Sequence, residues 1–160
     1  MRWFGLFCWI GICFAVAGAG GYWTATEVRG WYRTLVRPSY APPDWLFGPV
    51  WSLLYLAMGI AAWLVWQMPS SPERSWGLGL FLIQLALNLA WTWIFFVRHW
   101  VSGALAEIGG LWLAIAATAL VFSRVSSVAA WLFMPYLAWV SFATLLNYGF
   151  WRLNRPVPRV

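Results

Sequence analysis

The sequence predicts an all-α membrane protein: a bundle of five transmembrane helices with a structured long loop between helices 1 and 2. Three observations carry this. Only 9% of the 160 residues are charged and 63% are hydrophobic, where a soluble domain carries about 25% charged residues. The few charges cut the chain into five apolar stretches, each long enough for the roughly 20 residues that a spanning helix needs. The strict apolar–polar alternation of a membrane β-barrel is absent, which leaves helices to satisfy the backbone in lipid.

The elements follow in order within a single domain, residues 1–160, with helices at about 3–25, 46–68, 76–97, 101–122 and 128–152. The first stretch, Trp3 to Trp23, has no charge. Its Arg2, apolar centre and small-residue end resemble a signal peptide, but further spans follow rather than an exported soluble domain, so an uncleaved helix is expected. Leu46 to Met68, Trp76 to Val97 and Val128 to Trp151 are also uncharged, and Val101 to Phe122 holds one acid, Glu107. The linkers Pro69 to Ser75, Arg98 to Trp100 and Ser123 to Ser127 are short. Thr26 to Trp45 is the long one; with the start of helix 2 it forms the stretch Trp31 to Trp51, which holds four prolines. Proline fixes φ and removes a backbone donor, which suits a lid that keeps one shape at a membrane surface.

Every basic residue is Arg, and the net charge is +6. The arginines sit at segment ends, where they meet headgroups and set topology, so nucleic acid is not an expected partner. With five spans, Arg2, Arg74 and Arg124 fall on one side. Arg29, Arg33, Arg37, Arg98, Arg152, Arg155 and Arg159 fall on the other. That bias puts the long loop and the C-terminus in the cytoplasm and the N-terminus outside. A bacterial inner membrane is the expected location, with a mitochondrial outer membrane as the alternative.

Several chemistries are disfavoured. Cys8 and Cys13 lie inside the first apolar run and are expected to be buried packing residues. No cluster of nitrogen, oxygen or sulfur ligands suggests a metal site. The single histidine, His99, sits in a tight turn with no partner cluster in the sequence, so it is expected at the membrane interface rather than in catalysis. Glu107 falls about 9 Å past Val101 at helical rise, where a helix N-terminus favours a carboxylate. A structural role is expected for it, since a proton-coupled transporter places its acid at the midplane.

Uncharged side chains say more. Gln84, Asn88 and Thr92 recur every four residues with Trp91 and Phe95 beside them, which puts amide, hydroxyl and indole on one face of helix 3. Trp51, Tyr55, Met58 and Ala62 form a face of helix 2, and Trp139, Ala143, Leu146 and Phe150 a face of helix 5. Large rings alternating with small residues give a flat ligand walls and room, and a few polar groups orient it. The competing explanation is helix packing, in which small residues and amides also serve. The rows Gly11, Ala15, Ala19 and Ala106, Gly110, Ala114, Thr118 are read mainly as packing surfaces, with dimer contacts as the alternative. Leu146, Tyr148 and Arg152 match the weak pattern proposed for sterol contact.

Taken together, "WYRTLVRPSYAPPDWLFGPVWSLLYLAMGIAAW", "LALNLAWTWIFF" and "PYLAWVSFATLLNYGFWRLN" resemble the TspO/MBR family, the tryptophan-rich sensory or translocator proteins. The resemblance covers nearly the whole chain. It implies a five-helix bundle, often a homodimer, that binds porphyrins such as haem and protoporphyrin IX, hydrophobic drug-like ligands and, in animal members, sterol. By motif, it implies ligand contacts at Tyr32, Pro42, Pro43, Trp51, Tyr55, Asn88, Trp91, Trp139 and Ala143, with Ala19 or Tyr22 from helix 1. It also implies a choice of activities. The first is a receptor or carrier with regulatory or transport output. The alternative is an enzyme promoting light- and oxygen-dependent porphyrin breakdown, with Trp51 and Trp139 as catalytic candidates, and the second alternative is a transporter of small hydrophobic compounds. No cofactor is required; a porphyrin would be a ligand. Its propionates could meet Arg29, Arg33 or Arg37, and no axial ligand for haem iron is placed near the pocket.

Overall fold

The computed structural model describes residues 2–155, so Arg159 and the other residues past 155 lie outside the described part. Among the described residues there are five long helices and no strand: α1 (Arg2–Val28), α2 (Phe47–Trp66), α3 (Pro72–Thr92), α4 (Val101–Ser123) and α5 (Ser127–Leu153). Two 3-10 turns, Trp31–Thr34 and Asp44–Leu46, punctuate the α1–α2 connection, and a wide π-helical turn, Trp93–Val97, finishes α3. Five segments built on these helices are long and apolar enough to cross a membrane.

One boundary departs clearly from expectation. The third helix starts at Pro72 rather than near residue 76. The Ser71 hydroxyl accepts the Arg74 backbone N–H at 3.1 Å, Pro72 opens the helix where a missing donor costs nothing, and Glu73 lies in the first turn, where the helix dipole favours an acid. Charges read as linker are therefore the helix cap.

The helices form a ring in the order α1, α2, α5, α4, α3, with α3 and its π turn returning to α1. The half of the bundle away from the long loop is closely packed. Gly59 on α2 meets α1 so tightly that a Cβ there would lie 3.0 Å from the Ile10 Cα. Gly77 on α3 lets the Phe122 ring of α4 approach in the same way. Phe81, Phe122 and Phe133 then lock α3, α4 and α5, with Phe81 and Phe122 stacked at 6.3 Å and Phe133 edge-on to both. Buried Met58, Ala61, Ala62 and Val65 complete this core from α2.

Three sequence expectations change here. Cys13 is buried, but Cys8 is exposed, because the two lie five positions apart and so point away from each other on a helix. The row Gly11, Ala15 and Ala19 does not pack within the chain, since Gly11 and Ala15 are exposed. On α4, Ala106 and Gly110 are likewise exposed, and only Thr118 of that row is buried.

Candidate functional site

The other half of the bundle is hollow. A cavity of about 790 Å³ lies between the loop-side halves of α1, α2, α3 and α5, under the α1–α2 connection. Tyr32, Trp51, Tyr55, Asn88, Trp91, Trp139 and Ala143 all line it. Asn88, Trp91 and Thr92 of α3 and Phe95 of the π turn that follows it line the cavity, and so does the whole α5 face of Trp139, Ala143, Leu146 and Phe150. The π turn adds Phe96. Its wide geometry closes through an Arg98 N–H to Trp93 carbonyl bond of 3.0 Å, the i to i+5 spacing of a π turn, and the adjacent rings of Phe95 and Phe96 are both buried.

The floor is a polar chain. The Tyr55 hydroxyl donates to Asn88 Oδ1 at 2.6 Å, and Asn88 Nδ2 donates to the Tyr136 hydroxyl at 2.8 Å. Asn88 is 3% exposed and Tyr136 0%, so this chain satisfies polar atoms that would otherwise cost about 1–3 kcal/mol each. Trp51 touches both phenol rings, Tyr55 at 5.7 Å and Tyr136 at 6.2 Å. On the far wall the Trp91 indole donates to Asn147 Oδ1 at 3.1 Å, and Asn147 Nδ2 donates to the Val101 carbonyl at 3.0 Å, tying α3, α5 and the start of α4. Trp139 is held by edge contacts to Phe47 and tilted contact to Phe142.

The connection is latched over the cavity. Asn154 at the end of α5 exchanges two hydrogen bonds with the Val36 backbone, at 2.8 and 3.0 Å. The Tyr40 hydroxyl donates to the Leu145 carbonyl at 3.0 Å. This approach depends on Gly149, where a Cβ would be 2.7 Å from Pro38 Cγ and would overlap the Tyr40 hydroxyl. Arg37 binds Asp44 at 2.8 Å, donates to the Pro42 carbonyl at 3.0 Å, and lies 5.5 Å from the Tyr32 ring centre. Tyr32 is buried, which pushes its phenol up to about 12; nearby Arg37 opposes that rise and Asp44 adds to it. At neutral pH it is an uncharged aromatic wall.

Some expected contacts are not brought together. Pro42 and Pro43 do not line the cavity. They shape the loop instead, with Pro43 leading into the 3-10 turn that presents Asp44 inward. Of the helix-1 alternatives, Tyr22 lines the cavity and Ala19 does not, while Ala17 and Gly20 do. Of the three arginines, Arg29 lines it and Arg33 does not; Arg37 is engaged with Asp44. Gln84 is fully buried one turn below, with its amide 3.8 Å from Met58 Sδ. The sterol pattern is split: Leu146 faces the cavity, while Tyr148 and Arg152 are exposed on the outside.

His99 lies in the expected short turn before α4, with partners that the sequence did not show. It has a left-handed backbone, φ 53°. Its ring stacks on Trp31 at 4.1 Å, and its Nε2 lies 3.0 Å from Glu27 Oε2. These partners come from the α1 end and the long loop, so no local sequence pattern announced them. Glu107 lies off the cavity, with both carboxylate oxygens buried and unbonded among the described residues. Tyr136 is the main residue that sequence reading missed. It stands three positions before Trp139, so extending the α5 face by one turn would have included it. No group of three metal-binding side chains occurs among the described residues.

Comparison with known proteins agrees with this architecture. Residues 9–152 match the model of the TspO/MBR family. The chain is similar to the tryptophan-rich protein TspO of Chlorobaculum tepidum, 45% identical over 149 residues, covering 91% of this chain and 92% of that one. It is similar to the translocator protein of Sus scrofa, 41% identical over 149 residues with 88% and 86% covered. It is also similar to protein CrtK of Rhodobacter capsulatus, 38% identical over 141 residues with 88% of each covered. Five apolar helices around an aromatic cavity, matched across most of their length, make this chain a member of the TspO/MBR family of membrane sensory and translocator proteins.

Proposed function

We propose that this protein is a membrane receptor or carrier for porphyrins, protoporphyrin IX and haem among them, and for other flat hydrophobic ligands, with a regulatory or transport output. The observation that carries this is the cavity. Its volume of about 790 Å³ lies in the range of small-molecule sites, and so does its mix of apolar walls with few polar groups. Trp51, Trp91, Trp139 and Tyr32 supply faces for a planar macrocycle, and Arg29 at the rim supplies a partner for a propionate. The lining is mainly aromatic rings with few polar groups, which supports recognition of the ring rather than of a central metal. By the arginine bias, the long loop faces the cytoplasm of a bacterial inner membrane, and the outward small-residue rows suit a homodimer.

Titration of the purified protein with protoporphyrin IX tests this. Saturable tryptophan quenching with an unchanged porphyrin spectrum is the expected result. Absence of saturation would sink the proposal. A second reading, light- and oxygen-dependent porphyrin breakdown, is favoured by the contact of Trp51 with the hydrogen-bonded tyrosines Tyr55 and Tyr136. Its mark would be a new absorbing product that forms in light and air and is lost in Trp51→Phe.

A further inference from the structure

The cavity is closed unevenly, and the unevenness has a direction. On the side of α3, its π turn and α5, the lining residues Asn88, Phe95, Asn147 and Phe150 are buried and none is exposed. On α1 and α2, Gly20 and Tyr55 are buried at the back of the cavity, while the lining residues Gly21, Tyr22, Ala25, Gly48 and Ser52 are exposed. These two helices are antiparallel neighbours whose far halves touch through Gly59 and Ile10. Continuing that register brings Gly21 level with Gly48 and Ala17 level with Ser52. Yet a Cβ placed on Gly21 or Gly48 would meet nothing within 4 Å. The helices are therefore tight at one end and parted at the other, and the parting opens onto the cavity. The side facing water is by contrast latched by Asn154, Tyr40 and Arg37.

We propose that ligands enter and leave sideways from the bilayer, through the cleft between the loop-side halves of α1 and α2. This rests on the reading of the cavity as a ligand site. The cleft lies within two membrane-spanning segments, so its outer solvent is lipid. Small residues on both rims let a flat body pass. Arg29 stands at the end of α1 beside the opening and lines the cavity. The ligands best suited are thus amphipathic anions, with an apolar body dissolved among acyl chains and an acid group at the headgroup level.

An order-of-addition experiment tests the route. The variant Gly21→Cys with Gly48→Cys, in a Cys8→Ser, Cys13→Ala background, is placed in nanodiscs and bridged by a bifunctional, reducible thiol reagent. Protoporphyrin IX is delivered from lipid vesicles and followed by tryptophan quenching. Bridging before addition is expected to slow binding at least about tenfold, and bridging after loading to slow release by a similar factor, both reversed by reduction. Exchange at the unbridged rate in both orders would overturn the route. Asn154→Ala, which frees the loop latch, is expected to exchange at the wild-type rate; faster exchange there with no effect of bridging would move the route to the loop. If the unbridged protein shows no saturable quenching, the ligand-site reading fails and the route with it. The single variant Gly48→Trp, whose side chain starts in open space, gives a second readout that needs no cross-linking: slower exchange supports the route, and unchanged exchange opposes it.

Discussion

The two halves of the bundle are built from the same helices and similar side chains, yet one is a solid core and the other is hollow. In the far half, glycines stand where helices meet: Gly59 against Ile10, Gly77 against Phe122. Rings there fill what the glycines leave, as Phe81, Phe122 and Phe133 do. In the loop-side half, Gly21 and Gly48 on the facing sides of α1 and α2 meet only space, and the rings of Tyr55 and Trp91 stand as walls held by hydrogen bonds at their edges. Aromatic content therefore does not separate a core from a cavity. What separates them is whether a small residue on one helix receives a large one from the next.

The sharpest way to break this contrast is Gly59→Leu. A side chain there meets backbone rather than a flexible tip, so overpacking of about 3 kcal/mol is expected, read as a lower midpoint of thermal unfolding in detergent. The same change at Gly48, which faces open space, is expected to leave the midpoint unmoved. Equal effects at the two glycines would erase the distinction between the halves.

Asn88→Leu follows. It strands the Tyr55 and Tyr136 hydroxyls in the cavity floor, with an expected loss of about 2 kcal/mol. Tyr55→Phe combined with Asn88→Leu should recover part of that loss, which thermal unfolding of the two variants beside the wild type would check. Trp139→Ala removes a wall of the cavity. It should weaken protoporphyrin IX binding about tenfold, or roughly 1.4 kcal/mol, read by tryptophan-quenching titration. Asn154→Ala unlatches the loop and is expected to cost about 1 kcal/mol, seen as faster amide exchange at Val36 while exchange in α3 and α4 is unchanged.

One effect appears only in alkali and is absent at neutral pH. The Tyr32 phenol is raised from its ordinary value near 10 to about 12 by burial. The folded state therefore holds its proton longer than the unfolded chain does. The stability this protects is fully present below pH 10 and falls as pH rises from 10 toward 12. Tyr32→Phe should flatten that part of the difference between the two unfolding profiles. Identical profiles for the variant and the wild type would place Tyr32 in water rather than under the loop.

Much of this was legible beforehand because it is local. Asn88, Trp91 and Thr92 share a helical face by spacing alone, and so do Trp139, Ala143 and Leu146. The structure puts each set on the cavity. Pro42 and Pro43 were legible as stiffness but not as position, because a proline's φ restriction says nothing about which neighbour it presents. Here it presents Asp44. The partners of His99 were illegible for the same reason. Glu27 lies 72 positions away, and no periodicity links them.

The sequence by itself determined that five apolar segments cross the membrane as helices, because lipid offers an unpaired backbone no other partner. It also determined which face of α2, α3 and α5 is aromatic, because helical spacing assigns faces without reference to neighbours. Only the tertiary structure decided where those faces meet and where they stay apart. It joined Tyr136 to Asn88, latched Asn154 to Val36, and parted α1 from α2 at one end alone. Each of these depends on the separation of two distant segments. That separation is set by how side chains from both interlock, a property that no single stretch of chain contains.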